Sequence, residues 1–301
     1  MEASSPAPRR FRLDLAYDGR PFAGWQSQPG GGSVQDALET ALAATCPEIT
    51  TIQGSGRTDA GVSATGQVAH FDTPPHWRME GTDWLRALNS KLPPTIRVMG
   101  CREVDPAFHA RFSAVEKTYE YEIATGDILP PLRHGLAWHQ RAFGTADELA
   151  SILSLYLGTR DFRAFSAKRH DGYDDERDTV RTLVEASARP SDAGEGLVLR
   201  FRGNGFLYKM VRFLVGTAVY VRHGRISLGE LEALFDGGAG GAKAPYCAPA
   251  SGLTLVEVRY PGDFATPPHV ETWPSFSRNP ASRKTASRTP AAGRCASRNS
   301  S

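Results

Sequence analysis

The chain predicts an α+β fold in which helices pack on a mainly antiparallel sheet, and three observations carry that expectation. Several segments alternate apolar and polar residues with the period of two that a half-buried strand requires. Others repeat their apolar residues at helical spacing, most clearly Leu207, Met210, Val211, Leu214, Val215, Ala218 and Val219. The two kinds do not follow the regular strand-helix-strand order of a parallel sheet, so layered α+β packing is favoured.

Phe11, Leu13, Leu15 and Tyr17 alternate with polar or small neighbours and predict the first strand. Ser33 is a ready helix cap, and Val34, Leu38, Ala41 and Leu42 share one face of the helix that follows. A strand over 66–72 comes next, then a helix near 82–92 and strands over 96–104 and 118–124. The second half predicts helices over 147–157, 207–222 and 228–235, extended segments over 179–186 and 197–202, and a closing strand over 254–260. Residues 1–9 and 265–301 lack a hydrophobic period and predict disorder, since such segments cannot offset the entropy of ordering.

With 301 residues, 40% of them hydrophobic, the chain has material for one large core or two smaller ones, and two domains is the prior. Residues 1–10 have no apolar centre, and the longest apolar run, 213–221, is too short to span a bilayer, so a cytoplasmic protein is expected. Cys46, Cys101, Cys247 and Cys295 form neither a Cys-x-x-Cys pair nor a zinc pattern, which points to free thiols and no metal site. The formal charge of +2 hides an asymmetry. Beyond Phe264 stand Arg278, Arg283, Lys284, Arg288, Arg294 and Arg298 against Glu271, so the tail is basic and the body is slightly acidic. A polyanion would therefore need local patches, of which Arg160, Arg163, Lys168, Arg169 and His170 form one candidate.

Chemistry concentrates in Gly56-Arg57-Thr58-Asp59-Ala60-Gly61-Val62, where a carboxylate and a guanidinium share a glycine-bracketed segment that leads into a strand. Gly54, Gly56 and Gly61 allow close backbone approach or positive φ. Ordinary turn chemistry would also place Asp beside Gly. A phosphate-cradling loop fails on spacing, because Asp59 stands where its third glycine would fall. The residues alone leave the turn and the active-site readings open.

The longer string from Gly56 to Phe71 resembles the signature of the tRNA pseudouridine synthase A family. Further blocks follow in that family's order: Tyr17-Asp18-Gly19, Phe22-Ala23-Gly24-Trp25-Gln26, Ser33-Val34-Gln35, Phe108-His109-Ala110-Arg111-Phe112-Ser113, Tyr119-Glu120-Tyr121, Asp161-Phe162 with Phe165, Met210-Val211-Arg212 with Val215-Gly216, and Gly252-Leu253. One position departs, with Ser63 where the family usually has His. The resemblance implies two ferredoxin-like α/β halves, 10–110 and 111–264, whose sheets join with the active cleft between them. It also implies isomerisation of uridine to pseudouridine in the anticodon stem-loop of tRNA, at positions 38 to 40, by a homodimer with no cofactor.

Turning uridine into pseudouridine breaks the ribose bond to N1 and remakes it to C5 without redox change, so no metal, nicotinamide or phosphate donor is needed. A nucleophile is required, and the resemblance assigns it to Asp59, which attacks either ribose C1′ or uracil C6. Burial raises a carboxyl pKa by up to ~3 to 5 units and a close cation lowers it by ~1 to 3, so a buried Asp59 wants a permanent positive partner. Arg212, in the family's basic position and roughly 120° from the centre of its helix's apolar stripe, is the candidate. Arg57 is implied to help take the base out of its stack, Tyr119 to stack on the uracil, and Leu253 to wall the pocket. Two other classes compete: an RNA-binding protein without catalysis, and a hydrolase using Asp59. The intact set of functional residues argues against the first, and the lack of a second carboxylate or base at a recognisable spacing argues against the other.

Overall fold

The computed structural model describes residues 8–141, 143–168, 178–236 and 241–264, and its architecture is α+β. Its strands are β1 (Arg9–Tyr17), β2 (Gln53–Gly54), β3 (Ser63–Thr73), β4 (Ile96–Val104), β5 (Glu116–Ala124), β6 (Trp138–His139), β7 (Gly158–Asp161), β8 (Val180–Pro190), β9 (Gly196–Gly203) and β10 (Leu253–Arg259). They form one sheet in the order β4-β1-β3-β10-β5-β9-β8-β7, with β2 on β3 and β6 on β5. Pairings are antiparallel except β3 with β10 and β5 with β6.

The seam matters most for function. β10 comes last in the chain yet lies at the centre, antiparallel to β5 and parallel to the start of β3, where Thr254 pairs with Ser63 and Leu255 with Ala64. The parallel contact is short, so it binds the two groups of strands at one place only. That place is the first turn of β3, directly after the Gly56–Val62 segment.

Among the described residues, five α-helices accompany the sheet: α1 (Val34–Ala43), α2 (Gly81–Lys91), α3 (Ala146–Ser154), α4 (Met210–Arg222) and α5 (Leu228–Ala233). Ser33 caps α1 as its sequence suggests. Its hydroxyl accepts from Asp36 N at 3.0 Å while Asp36 Oδ2 accepts from Ser33 N at 2.9 Å, an exchange worth about 1 kcal/mol. Val34, Leu38, Ala41 and Leu42 are all buried. Aromatic rings fill both flanks of the core: Phe71 meets Phe11 at 5.7 Å and Trp84 at 5.1 Å, and Phe235 meets Phe162 at 5.5 Å and Phe165 at 5.0 Å. Burying each such ring contributes roughly 1.5–3 kcal/mol.

Several boundaries differ from the sequence expectation, each for a physical reason. Ordered structure starts within the segment expected to be disordered, because Arg9 opens β1 and its guanidinium reaches both Glu80 and Glu103. Residues 1–7 and 265–301 lie outside the described residues. β1 is covered on both faces, not one: Arg12 is buried too, paired with Asp14 at 2.7 Å and lying 4.8 Å from the Tyr260 ring centre. α4 begins at Met210 and not at Leu207, because Lys209 takes a left-handed conformation at φ 61° and ends the preceding loop. Among the described residues, no helix is long and apolar enough to cross a membrane.

Candidate active site

The Gly56–Val62 segment bridges β2 and β3 and is fastened from several directions. Trp25 N donates to Thr58 O at 3.0 Å, Gln67 Nε2 donates to Gly56 O at 2.8 Å, and the Tyr17 and Thr58 hydroxyls pair at 2.8 Å. Val62 N closes a turn onto Asp59 O at 3.1 Å, with Gly61 at φ +80°. Two glycines press on it from outside: Gly19 packs on Val62 so closely that a Cβ there would overlap the Val62 carbonyl, and Gly24 packs on Thr58. At φ +98°, a Cβ there would lie 2.7 Å from Thr58 O, so no other residue fits without displacing the segment. Ser63, the departure from the family pattern, accepts a hydrogen bond from Gly19 N at 3.0 Å and so ties the loop after β1 to the start of β3.

Asp59 faces α4 across the seam. Arg212 Nη1 donates to Asp59 Oδ2 at 2.8 Å, and Arg212 Nε donates to Ala248 O at 2.7 Å. Two acceptors at fixed angles set the plane of the guanidinium, which a single ion pair would leave free to rotate. Both side chains are 15% exposed, so the carboxylate is sheltered but still reachable. Its second oxygen, Oδ1, accepts no hydrogen bond from any described residue.

Tyr119 is buried on β5, its ring edge-on to Phe206 with centres 5.0 Å apart. Burial, with the Tyr17 and Asp59 charges adding to it, pushes the phenol well above its usual pKa, so it stays protonated at neutral pH. In the β5–β10 register Leu255 lies opposite Tyr119 and Leu253 opposite Tyr121, which sets the buried Leu253 on the same side of the sheet. Arg57 differs from these. It is exposed and makes no hydrogen bond or ion pair with any described residue, Asp59 included.

The basic cluster is only partly gathered here. Arg163 is exposed and lies 3.8 Å from Asp161, and Lys168 is exposed. Ala167 N donates to Tyr208 O at 3.1 Å, tying this loop to the segment leading into α4. Arg169 and His170 lie outside the described residues.

Two lysines near the site escape a sequence reading. Lys209, the left-handed residue ahead of α4, holds a strained conformation three positions before Arg212. Lys117, partly buried and on the same face of β5 as Tyr119, donates to Ser55 O at 2.6 Å. Its burial, with the Arg111 charge adding, lowers its pKa from 10.5 to about 8. The unfolded chain keeps this proton up to its ordinary value. Between pH 8 and 10.5 the unfolded state therefore binds more protons, and stability rises with pH through this group. Below that window the charged form is penalised in the fold, and above it the penalty is gone. Over that range the unfolding free energy of the natural protein should gain on that of Lys117→Met. A difference that stays flat with pH would show that Lys117 titrates alike in both states.

The seam thus carries a sheltered aspartate, a fixed guanidinium and a buried tyrosine, with the motif blocks in order around it. The sequence model of the family described as tRNA pseudouridine synthase matches residues 15–113 and 152–261. The chain belongs to that family. Among its relatives, the tRNA pseudouridine synthase A of Akkermansia muciniphila is 46% identical over 259 residues, spanning 84% of this chain and 95% of the relative. The proteins of the same description from Thiobacillus denitrificans and Latilactobacillus sakei are 39% and 40% identical, spanning 88% and 84% of this chain and 98% and 99% of their own lengths.

Proposed function

We propose that this chain isomerises uridine to pseudouridine in the anticodon stem-loop of tRNA, at positions 38 to 40, with Asp59 as the nucleophile. The observation that carries the reading is the Asp59–Arg212 pair. One carboxylate, oriented by a guanidinium that is itself locked to Ala248 O, leaves a free oxygen in a sheltered position.

Arg57, exposed and without a partner among the described residues, is available to a phosphate or to the gap left by a flipped base, which offsets part of the few kcal/mol that flipping costs. Tyr119 stacks on the extruded uracil, and Leu253 keeps water from that wall. The Asp59 carboxylate attacks ribose C1′ or uracil C6 while the N1 to C1′ bond breaks. The base then turns and C5 bonds to C1′; the bond from Asp59 to C1′, or to C6, breaks and frees the carboxylate, and the C5 hydrogen leaves as a proton while N1 gains one, so atoms balance without any external donor. The exposed Arg163 and Lys168 belong to the surface that meets the RNA backbone in this reading. The halves 10–110 and 111–264 form the walls of the cleft, and two copies share one RNA as a homodimer.

Position-resolved mapping of pseudouridine in unmodified tRNA, incubated with the purified protein, tests the reading. Modification is expected at 38, 39 or 40. Modification confined to another arm of the tRNA would refute the site assignment, and none at all would refute the activity.

A further inference from the structure

The block Phe108–Ser113 has no part in the chemistry above, yet it carries an unusual surface feature. Phe112 is 76% exposed. The segment that displays it is tightly built. His109 Nδ1 lies 3.1 Å from Arg111 N and 3.2 Å from Phe112 N and accepts from both. Ser113 N donates to His109 O at 2.9 Å, and His109 N donates to Ser113 Oγ at 3.0 Å. Underneath, Ala110 is pinned at both ends of its peptide: its N–H donates to His70 Nδ1 at 3.2 Å, and its carbonyl accepts from the Tyr260 hydroxyl at 2.6 Å. The His109 ring lies 4.7 Å from that of His70 and 4.3 Å from that of Phe112. A phenyl ring held outwards on so rigid a base has little freedom to fold back and hide from water.

Its neighbour supplies charge. Arg111 is exposed, and its guanidinium lies 5.6 Å from the Phe112 ring centre. It forms no ion pair with any described residue, whereas nearby carboxylates are engaged elsewhere, Asp72 by Arg10 and Glu116 by Arg202 and Arg259. Lys117, on the strand that follows, holds Ser55 O through Nζ, four residues before Asp59. Arg111 and Phe112 thus set one exposed guanidinium beside one exposed ring.

We propose that Arg111 and Phe112 form a stacking platform for one unpaired base of the tRNA, with the adjoining phosphate on Arg111. The inference rests on the tRNA reading above but not on the chemistry of Asp59. Every nucleobase has a π-face, so an exposed ring beside a guanidinium recognises an unpaired nucleotide without needing its identity.

Fluorescence anisotropy with labelled unmodified tRNA tests the platform without requiring catalysis. Phe112→Ala is expected to weaken binding roughly 5- to 150-fold, and Phe112→Tyr to restore it, with the same thermal midpoint in both variants. Arg111→Gln is expected to reduce the slope of log affinity against log salt by about one. Unchanged tRNA affinity in Phe112→Ala would overturn the proposal. So would a change in sedimentation of the RNA-free Phe112→Ala protein, since that would make the ring a contact between copies of this chain. If the natural protein binds tRNA through this platform but forms no pseudouridine, the platform stands and the catalytic reading fails.

Discussion

Asp59→Asn is expected to remove tritium release from tRNA labelled at uridine C5, by about four orders of magnitude or more, while tRNA affinity stays within a few-fold. Asn has the shape of Asp, and its carbonyl oxygen still accepts from Arg212 Nη1, so the loop keeps its fastenings to Trp25, Tyr17 and Gln67. What it loses is the negative charge and the nucleophilic oxygen. Arg212 then lacks a counter-charge but keeps Ala248 O, and its 15% exposure limits the cost to stability to about 2 kcal/mol. A thermal melt checks that cost, and the tritium assay checks the chemistry. Release at the natural rate would strip Asp59 of its role.

Arg212 carries the second large effect. Arg212→Lys keeps the charge but replaces a rigid fork by a point donor on a flexible stem, which cannot hold Ala248 O and Asp59 Oδ2 at the observed angles together. A loss of about 10²- to 10³-fold in kcat is expected. Arg212→Met removes the charge as well and is expected to be essentially inactive. Both variants should fold, because the buried stripe of α4 runs through Met210, Val211, Leu214, Val215, Ala218 and Val219 and does not include Arg212. Circular dichroism would verify the fold. If Arg212→Met kept more than a tenth of the natural rate, the guanidinium would not be what readies the carboxylate.

Much of the architecture was legible because local periodicity reports which side of an element meets the core. β1, β4, β5, β10 and α1 fall close to where their alternation or capping residues place them. Elements too short to show a period were not legible: β2 and β6 have two residues each, and β7 has four. The start of α4 was missed because the apolar spacing continues through Leu207, while the backbone turns left-handed at Lys209.

The candidate site residues Asp59, Arg57, Tyr119, Arg212 and Leu253 were named from motif resemblance. Lys117 was not found, since a lysine within an alternating strand gives no sign that its tip will be covered. Gly24 stood inside a recognised block, but nothing in its neighbours announced the backbone of Thr58 pressed against it.

The amino-acid order by itself determined the class of fold, the family and the carboxylate on which the chemistry is proposed to turn, because periods, caps and motif blocks are short-range properties of a chain. Only the tertiary structure showed that Arg212, the cation suggested by motif resemblance, reaches that carboxylate, that Arg57 makes no contact with it, and that the last strand closes the seam beside it. Arg212 and Asp59 are 153 positions apart, and no local rule says which of many guanidinium groups will reach a given carboxylate. That choice is made by the fold, which pairs β10 with the start of β3 and brings Arg212 of α4 within hydrogen-bond reach of both Asp59 and Ala248 O.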